Sequence, residues 1–547
     1  MSREATSSTK PAISSRRNSK TKSSSAIFKV LEEKIPKHIP DLYPQARTIK
    51  RHFTLHVGPT NSGKTYAAME HMRKIGAGIY LAPLRLLAYE QYEQLNRDGF
   101  PCRLLTGEEC IEEAGAKMQA STVEMLDESR SYDCVVIDEA QMIVDRDRGG
   151  AWTNAILGAF SPEIHVCLAP QALNLVERLI EDCGDTYVVV EHQRFGPLTY
   201  DMKNPISSLS AVKKGDAVIV FSRRNVHAVA AELQRKGKKC SIIYGNLPYT
   251  VRHTEAEKFS SGENDIVVST DAIGMGLNLP IRRVVFLENS KYDGVSVRPL
   301  MVDEIQQIAG RAGRKGLYDV GYVCGCCGQS GNKAIRLALN AQPKPLFTAV
   351  VSFPESLVSL EGDLSDIIRQ CSKTITPGLY SCEDVARDIV LCKELEKITD
   401  DKDFIFKAIG ITFSERDDMQ YSLWYHLISC KLKDTPVHLD EFQLNFSKSP
   451  NSSEDLRGLE QAYQQLDLFY HFCRTFGHYD EIEKIDSMRN EISAIIRKYL
   501  SVQKLSGRTC KRCGRPLPWN HGFGICEECY QAQRQSYYSY YDDFNFF

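Results

Sequence analysis

The stretch HFTLHVGPTNSGKTYAAME, His52 to Glu70, constrains the fold more than any other part of the chain. A short apolar run that reads as a strand ends in a glycine-bounded loop and passes directly into a helix-forming run. A phosphate-binding loop needs glycines so that backbone N–H groups can turn inward. It also needs a lysine to reach the outer phosphate oxygens and a hydroxyl to hold Mg²⁺. Gly58, Thr60, Asn61, Ser62, Gly63, Lys64 and Thr65 supply these positions, and a helix beginning at Lys64 directs its positive end at the same phosphates. A strand–loop–helix of this kind belongs to a parallel α/β sheet, where ligands collect at the C-terminal strand ends.

The surrounding pattern agrees. HFTLHV, GIYLAP, YDCVVID, IHVCLAP and TYVVV read as strands of a mostly parallel sheet separated by helix-length stretches. After the polar stretch NPISSLSAVKKGD, with Pro205 and Gly215, the rhythm restarts with AVIVFS, KCSIIYG, DIVVST and RRVVFLE. Two similar α/β units in series are therefore expected, over 51–204 and 205–350. Residues 1–25 form a basic, Ser-rich tail with too little apolar content to order itself. Residues 26–50 lead into the first unit. Residues 351–505 turn mainly helical: Leu459, Tyr463, Leu466, Tyr470 and Cys473 recur at helical spacing. Ile482, Ile485, Met488, Ile492 and Ile495 do the same beyond Gly477, so two amphipathic packing helices are predicted.

Three further segments carry chemistry. YDCVVIDEAQ ends a strand in two carboxylates; Asp138 suits Mg²⁺ and Glu139 suits orientation of an attacking water. EIQQIAGRAGR places Arg311 and Arg314 three apart, which predicts one helix face, with Gln307 a turn earlier. Such guanidiniums, supplied by a facing domain, neutralise charge on a transferring phosphoryl group. In STDAIGMGLNLP, Asp271 is expected to take a ribose hydroxyl or pair with Arg311, while Gly274 and Gly276 permit close backbone approach.

Composition narrows the class. A formal net charge of -2 over 547 residues confines any nucleic-acid binding to local basic grooves. No apolar run approaches the ~20 residues needed to span a bilayer, so no membrane partner is expected. Most of the eighteen cysteines lie singly in apolar runs, which suits a reducing compartment. Cys510, Cys513, Cys526 and Cys529 differ: two Cys-x-x-Cys knuckles twelve residues apart have the spacing of a closed structural Zn²⁺ site over 506–531. Lys511, Arg512, Arg515, Trp519 and Phe523 on that unit suit single-stranded RNA or a protein partner. An aromatic, acidic tail, 532–547, ends the chain. Cys324, Cys326 and Cys327 have no fourth ligand at a natural spacing and read as packing or a thiol cluster.

In order, GPTNSGKT, APLRLLA, TGEE, TVEM, DEAQ, VIVFSRRN, TDAIGMGLNL and QIAGRAGR resemble a superfamily 2 DExH-type helicase, and more closely the mitochondrial degradosome RNA helicase family. The resemblance covers roughly 52–345 and continues faintly through LRGLEQAYQQLDLFYHF; it does not reach the four-cysteine unit. It implies two tandem RecA-like domains and ATP-dependent unwinding, typically 3′ to 5′, on single-stranded RNA or a tailed RNA duplex. It also implies Mg²⁺ as cofactor, an exoribonuclease or other RNA-processing partner, and the mitochondrial matrix. The tail lacks the apolar face of a presequence, which leaves the cytoplasm open as well. By motif, Lys64 and Thr65 would hold phosphate and Mg²⁺, Asp138 and Glu139 would serve metal and water, and Arg311 and Arg314 would be arginine fingers. Pro83, Arg85, Thr106, Gly107, Glu108 and Thr122 would contact the RNA backbone from the first domain, and Ser222, Arg224 and Thr270 from the second. Two departures bear on coupling: Gln141 ends the acidic motif, and APQ, Ala169–Gln171, stands where Ser-Ala-Thr is usual. A DNA-directed or RNP-remodelling NTPase is the alternative reading, and a silent zinc-domain scaffold a more remote one.

Overall fold

The computed structural model describes residues 24–542 apart from 108, 275–277, 315, 376–377, 443 and 503–507. The basic tail before residue 24, Glu108, Gly276 and the last five residues thus lie outside the described residues.

A lead-in helix, α1 (Ser24–Lys34), precedes the first α/β unit. That unit contains β1 (His52–Val57), α2 (Lys64–Ile75), β2 (Gly78–Ala82), α3 (Arg85–Arg97), β3 (Cys102–Leu105), β4 (Cys110–Ile111) and β5 (Met118–Thr122). It continues with β6 (Val135–Ile137), α4 (Gly149–Gly158), β7 (Glu163–Leu168), α5 (Leu173–Asp182) and β8 (Thr186–Glu191). Its eight strands run in the order β4-β3-β5-β2-β6-β7-β1-β8, parallel except for β4. The central strands are buried on both faces, as a sheet covered by helices on each side requires.

The second unit comprises β9 (Leu198–Tyr200), β10 (Asp216–Ile219), α6 (Arg223–Arg235), β11 (Cys240–Ile243), α7 (Tyr249–Ser260), β12 (Ile266–Ser269) and β13 (Arg283–Phe286). A small hairpin follows, β14 (Ser290–Tyr292) and β15 (Val297–Pro299), then α8 (Val302–Ala309), β16 (Gly321–Gly325) and α9 (Gly328–Asn340). The sheet is parallel, in the order β11-β12-β10-β13-β16-β9. Because β9 pairs with β16, the chain changes sheet between Glu191 and Leu198, earlier than the polar stretch at 204–215 suggested. Cys324 lies buried in β16, consistent with packing.

The remaining chain is mainly helical but carries one more pair of strands, β17 (Ala349–Val351) and β18 (Tyr380–Cys382). Their helices are α10 (Leu364–Thr374), α11 (Ala386–Leu395), α12 (Lys402–Ile409), α13 (Asp418–Leu432), α14 (Ser453–Phe476) and α15 (Ile482–Val502). The two predicted amphipathic helices are α14 and α15. Ser452 caps the start of α14 through a reciprocal pair with Asp455, and Gly477 ends it at φ 76°, a backbone region that glycine enters without penalty. The helical region docks on the first unit: Tyr380 hydrogen-bonds Asp182 at 2.7 Å, and a Cβ on Gly150 of α4 would lie 1.9 Å from Ser352 Oγ. The four-cysteine unit sits on α6, where the Trp519 N–H donates to Glu232 at 3.1 Å, and runs into α16 (Glu527–Asp542).

Candidate nucleotide site and nucleic-acid face

At the C-terminal end of β1 the phosphate loop turns through Asn61 and Gly63, both at positive φ (61° and 83°), before α2 begins. The loop is tightly walled. A Cβ on Gly58 would sit 2.3 Å from the His192 carbonyl, and one on Gly63 would sit 2.7 Å from Phe195 Cζ. Lys64 folds back onto the carbonyls of Gly58 and Pro59 at 2.7 and 2.9 Å. Thr65 Oγ1 lies 3.1 and 3.2 Å from the Asp138 carboxylate oxygens, the hydroxyl–carboxylate pair that a hydrated Mg²⁺ requires. Tyr80 donates to Asp138 Oδ2 at 2.8 Å, and Trp152 Nε1 donates to its carbonyl at 2.9 Å. Burial, reinforced by the adjacent Glu139 carboxylate, raises the Asp138 pKa.

Glu139 itself stands at φ 50°, an unusual backbone for a non-glycine residue. Gln141 Nε2 donates to Glu139 Oε2, while Gln141 Oε1 accepts the Ala169 N–H at 3.0 Å. The two departures noted in the sequence are therefore in contact: Gln141 ties the acidic motif to the first residue of APQ.

Across the cleft, α8 ends at Ala309 with Gly310 as its cap, and Gly313 adopts φ 80°. Arg311 and Arg314 consequently lie in the turn beyond the helix, not on a helix face as their spacing predicted. Arg311 binds the Gly274 carbonyl at 3.0 and 2.6 Å, and Arg314 binds the Asn278 carbonyl at 2.9 Å. Asp271 does not pair with Arg311; its carboxylate meets Lys291 at 3.1 Å, which also binds Glu304 at 2.7 Å. Gln307 packs beside Gly274, its Cγ 3.8 Å from where a Cβ would stand.

The residue that joins the two sides is Arg194, which sequence reasoning missed. Its Nη1 donates to the Thr60 and Gly310 carbonyls at 2.8 Å each, and its Nη2 donates to the Ala312 carbonyl. Burial without a carboxylate partner lowers its pKa to about 10. Asn61 Nδ2 adds a second bridge, to the Gly313 carbonyl at 2.6 Å. A Cβ on Gly310 would fall 2.7 Å from Thr60 Cβ, so the glycine there permits the loop and the arginine turn to touch. The only local hint in the sequence was a strand end followed by HQRFG, at the edge where α/β sheets bind ligands.

Of the expected RNA contacts, Arg85 and Gly107 lie against α14. Arg85 lies 4.0 Å from Asp467, and a Cβ on Gly107 would stand 2.7 Å from His471 Nε2. Arg148 donates to the Pro83 carbonyl at 2.7 Å, and Thr122 is buried at the end of β5. Ser222 caps α6 by accepting the Asn225 N–H at 3.1 Å, and Thr270 Oγ1 accepts the Ala272 N–H at 3.2 Å. Arg223 pairs with buried Glu460 at 2.6 Å, leaving Arg224 as the exposed arginine of that motif.

The ligand atoms of Cys510, Cys513, Cys526 and Cys529 all lie within 4.8 Å of one another, a donor set that fits one tetrahedral Zn²⁺. His521 turns away to the Ile525 carbonyl at 2.8 Å. Trp519 is half-buried against the second domain, whereas Phe523 is 77% exposed.

Residues 40–192 match the DEXQ-box helicase domain of Suv3, and 203–316 match the helicase conserved C-terminal domain. The chain is 36% identical over 475 residues to the ATP-dependent RNA helicase SUV3, mitochondrial, of Oryza sativa subsp. japonica, covering 84% of this chain and 81% of that protein. It is 43% identical to the DExH-box ATP-dependent RNA helicase DExH16, mitochondrial, of Arabidopsis thaliana, over 57% of this chain and 55% of the relative. It is 33% identical to SUV3 of Saccharomyces cerevisiae, over 80% of this chain and 63% of the relative.

Proposed function

Because the chain belongs to the Suv3 family of ATP-dependent RNA helicases, we propose that it moves 3′ to 5′ on single-stranded RNA by opening and closing the cleft between Lys64 and Arg311. The observation that carries this reading is the pair of bridges across that cleft, Arg194 to Thr60, Gly310 and Ala312, and Asn61 to Gly313. They hold a phosphate loop against two arginines, an arrangement suited to a nucleotide whose terminal phosphate both sides grip.

In this reading Lys64 leaves the loop carbonyls for the β- and γ-phosphates of ATP. Arg311 and Arg314 turn from their own domain's carbonyls toward the charge that develops on the transferring phosphoryl group. Thr65 and Asp138 would hold Mg²⁺, which supplies charge neutralisation at the phosphates. Glu139 accepts the proton of the attacking water, held in place by Gln141. Gln307, Asp271 and Gly274 complete the second-domain wall. Loss of the γ-phosphoryl contact frees the domains to part, and alternating closure shifts the grip of Arg85, Thr106, Gly107, Ser222, Arg224 and Thr270 along the RNA backbone. The four cysteines would hold Zn²⁺ as a structural knuckle. The names of the relatives support a mitochondrial site of action, and the family resemblance supports an exoribonuclease partner.

ATP hydrolysis measured with and without single-stranded RNA, beside unwinding of 3′-tailed and 5′-tailed RNA and DNA duplexes, tests the reading. RNA-stimulated hydrolysis with unwinding of the 3′-tailed RNA duplex is expected. Equal unwinding of both tails overturns the polarity, and stimulation by DNA alone favours a DNA-directed motor.

A further inference from the structure

Behind the phosphate loop, the face of the first sheet under α2 is apolar over much of its extent: Met69, Met72, Cys134 and Val136 pack there. At β1 and β7 this changes. Alternate strand residues share a face, and the parallel register sets His52, Thr54 and His56 of β1 opposite Glu163, His165 and Cys167 of β7. From α2, His71 brings a third ring over this patch, its centroid 4.4 Å from that of His165.

His192 Nε2 lies 3.0 Å from His56 Nδ1, and His56 Nε2 lies 3.0 Å from His165 Nδ1, so the Nδ1 edge of His165 is taken up by this ladder. His165 Nε2 is buried without a hydrogen-bond partner and lies 3.7 Å from Glu163 Oε1, beyond hydrogen-bond reach. A buried ring nitrogen directed at a carboxylate that it does not touch leaves room for a cation between them.

The third donor is in place, since His71 Nε2 is 2.5 Å from the same Glu163 oxygen and the three ligand atoms lie within 4.8 Å of one another. We propose that His71, Glu163 and His165 form a second metal site, taking a zinc-class dication. Two imidazoles and one carboxylate are the donor set such ions select over Mg²⁺ or Ca²⁺. The His71 and Glu163 side chains are 40% and 37% exposed, so water completes the coordination. His56, its Nε2 3.0 Å from His165 Nδ1, orients the ligand ring as outer partners of metal-bound histidines do. The ladder behind it ends where His192 bonds the Ser62 backbone, which connects the ion to the phosphate loop without placing it among the nucleotide ligands.

The test is zinc stoichiometry on the full chain, by equilibrium dialysis at low micromolar free zinc followed by elemental analysis. Wild type should hold two equivalents; His71→Ala and Glu163→Gln should hold one, with at least a ~10-fold weaker second binding step. Both side chains are partly exposed, and unchanged melting in chelator verifies that the variants fold. Zinc X-ray absorption should show mixed sulfur and nitrogen/oxygen scattering in wild type and a sulfur shell alone in His71→Ala. One equivalent in wild type, or identical stoichiometry and scattering in wild type and His71→Ala, overturns the site and leaves the His71–Glu163 pair in its place.

Discussion

Arg194→Ala is the perturbation that most directly probes the cleft. The guanidinium reaches one carbonyl on the phosphate loop, Thr60, and two on the arginine turn, Gly310 and Ala312. Parting the domains must break the contacts on at least one side, and the smaller loss is the single bond to Thr60. A hydrogen bond from a charged donor contributes ~1.5–3 kcal/mol net. Removing it therefore weakens closure by roughly 10- to 150-fold, using about 1.4 kcal/mol per tenfold change. The ATP concentration for half-maximal RNA-stimulated hydrolysis should rise by about this factor. RNA affinity measured with a non-hydrolysable ATP analogue should fall in step, because both ligands favour the closed state. Arg194→Lys should restore part of the loss, since an ammonium lacks the planar fork that spans both sides. Half-saturating ATP and RNA concentrations within twofold of wild type in Arg194→Ala would refute the reasoning.

Glu139→Gln should keep ATP and RNA binding while turnover collapses by at least ~100-fold, since it removes a group needed only in the transition state; turnover at the wild-type rate would reassign the water-activating residue. Gln141→Ala should depress unwinding more than hydrolysis, because it cuts the link from Glu139 to Ala169; an equal fall in both rates argues against coupling through that link. Cys526→Ser should abolish zinc at the knuckles and unfold the module locally while basal ATP hydrolysis persists, read by metal content and limited proteolysis. Arg224→Ala should weaken RNA binding and reduce its salt slope by about one. Arg223→Ala should instead lower stability by ~3 kcal/mol, because it leaves the buried Glu460 carboxylate without its cation, with the Tyr244 hydroxyl as its remaining donor; denaturant titration separates the two outcomes.

The two sheets were readable because their central strands are short apolar runs buried on both faces, separated by helix-length segments. Gly477 marked the end of α14 because a C-terminal cap acts through local backbone geometry that the sequence displays. Other features depended on contacts distant in sequence. β9 becomes a strand only by pairing with β16, some 120 residues later, so LTY after the polar HQRFGP carried no strand signal. Arg311 and Arg314 looked helical by spacing, but the helix ends at Ala309 with Gly310 as its cap, and Gly313 turns the chain between the two arginines. Those glycines were read as permitting close approach, which Gly310 does against Thr60; their effect on the helix end was missed. Arg194 and His165 were invisible for the same reason. Each is one polar residue near an apolar run, and its partners are supplied by other strands or by the other domain. Nothing local to Trp519 showed that it would pack partly against the second domain.

The helical region explains how motif residues of one kind come to do different work. Along α14, Glu460 meets Arg223 and Tyr244 of the second domain, Asp467 meets Arg85 of the first, and His471 lies against Gly107. Arg489 from α15 backs Asp467 at 2.8 Å and stacks over Tyr463 and Tyr470, which fixes the helix pair as a unit. One helix thus presents carboxylates to cations of both domains along the face where RNA phosphates are proposed to run. A buried carboxylate with a matched guanidinium does not yield it to a phosphate at little cost, because the carboxylate would then be stranded without a partner. Arg223 is therefore committed to anchoring α14 on the second domain. Arg85, at 4.0 Å from its acid and partly exposed, sits at the margin of the same face and is poised to exchange. Arg224, exposed beside Arg223, is the charge in that motif free to follow the backbone. Under the proposed reading, Arg223 and Arg224 divide between anchoring α14 and following the RNA backbone according to which of them α14 covers.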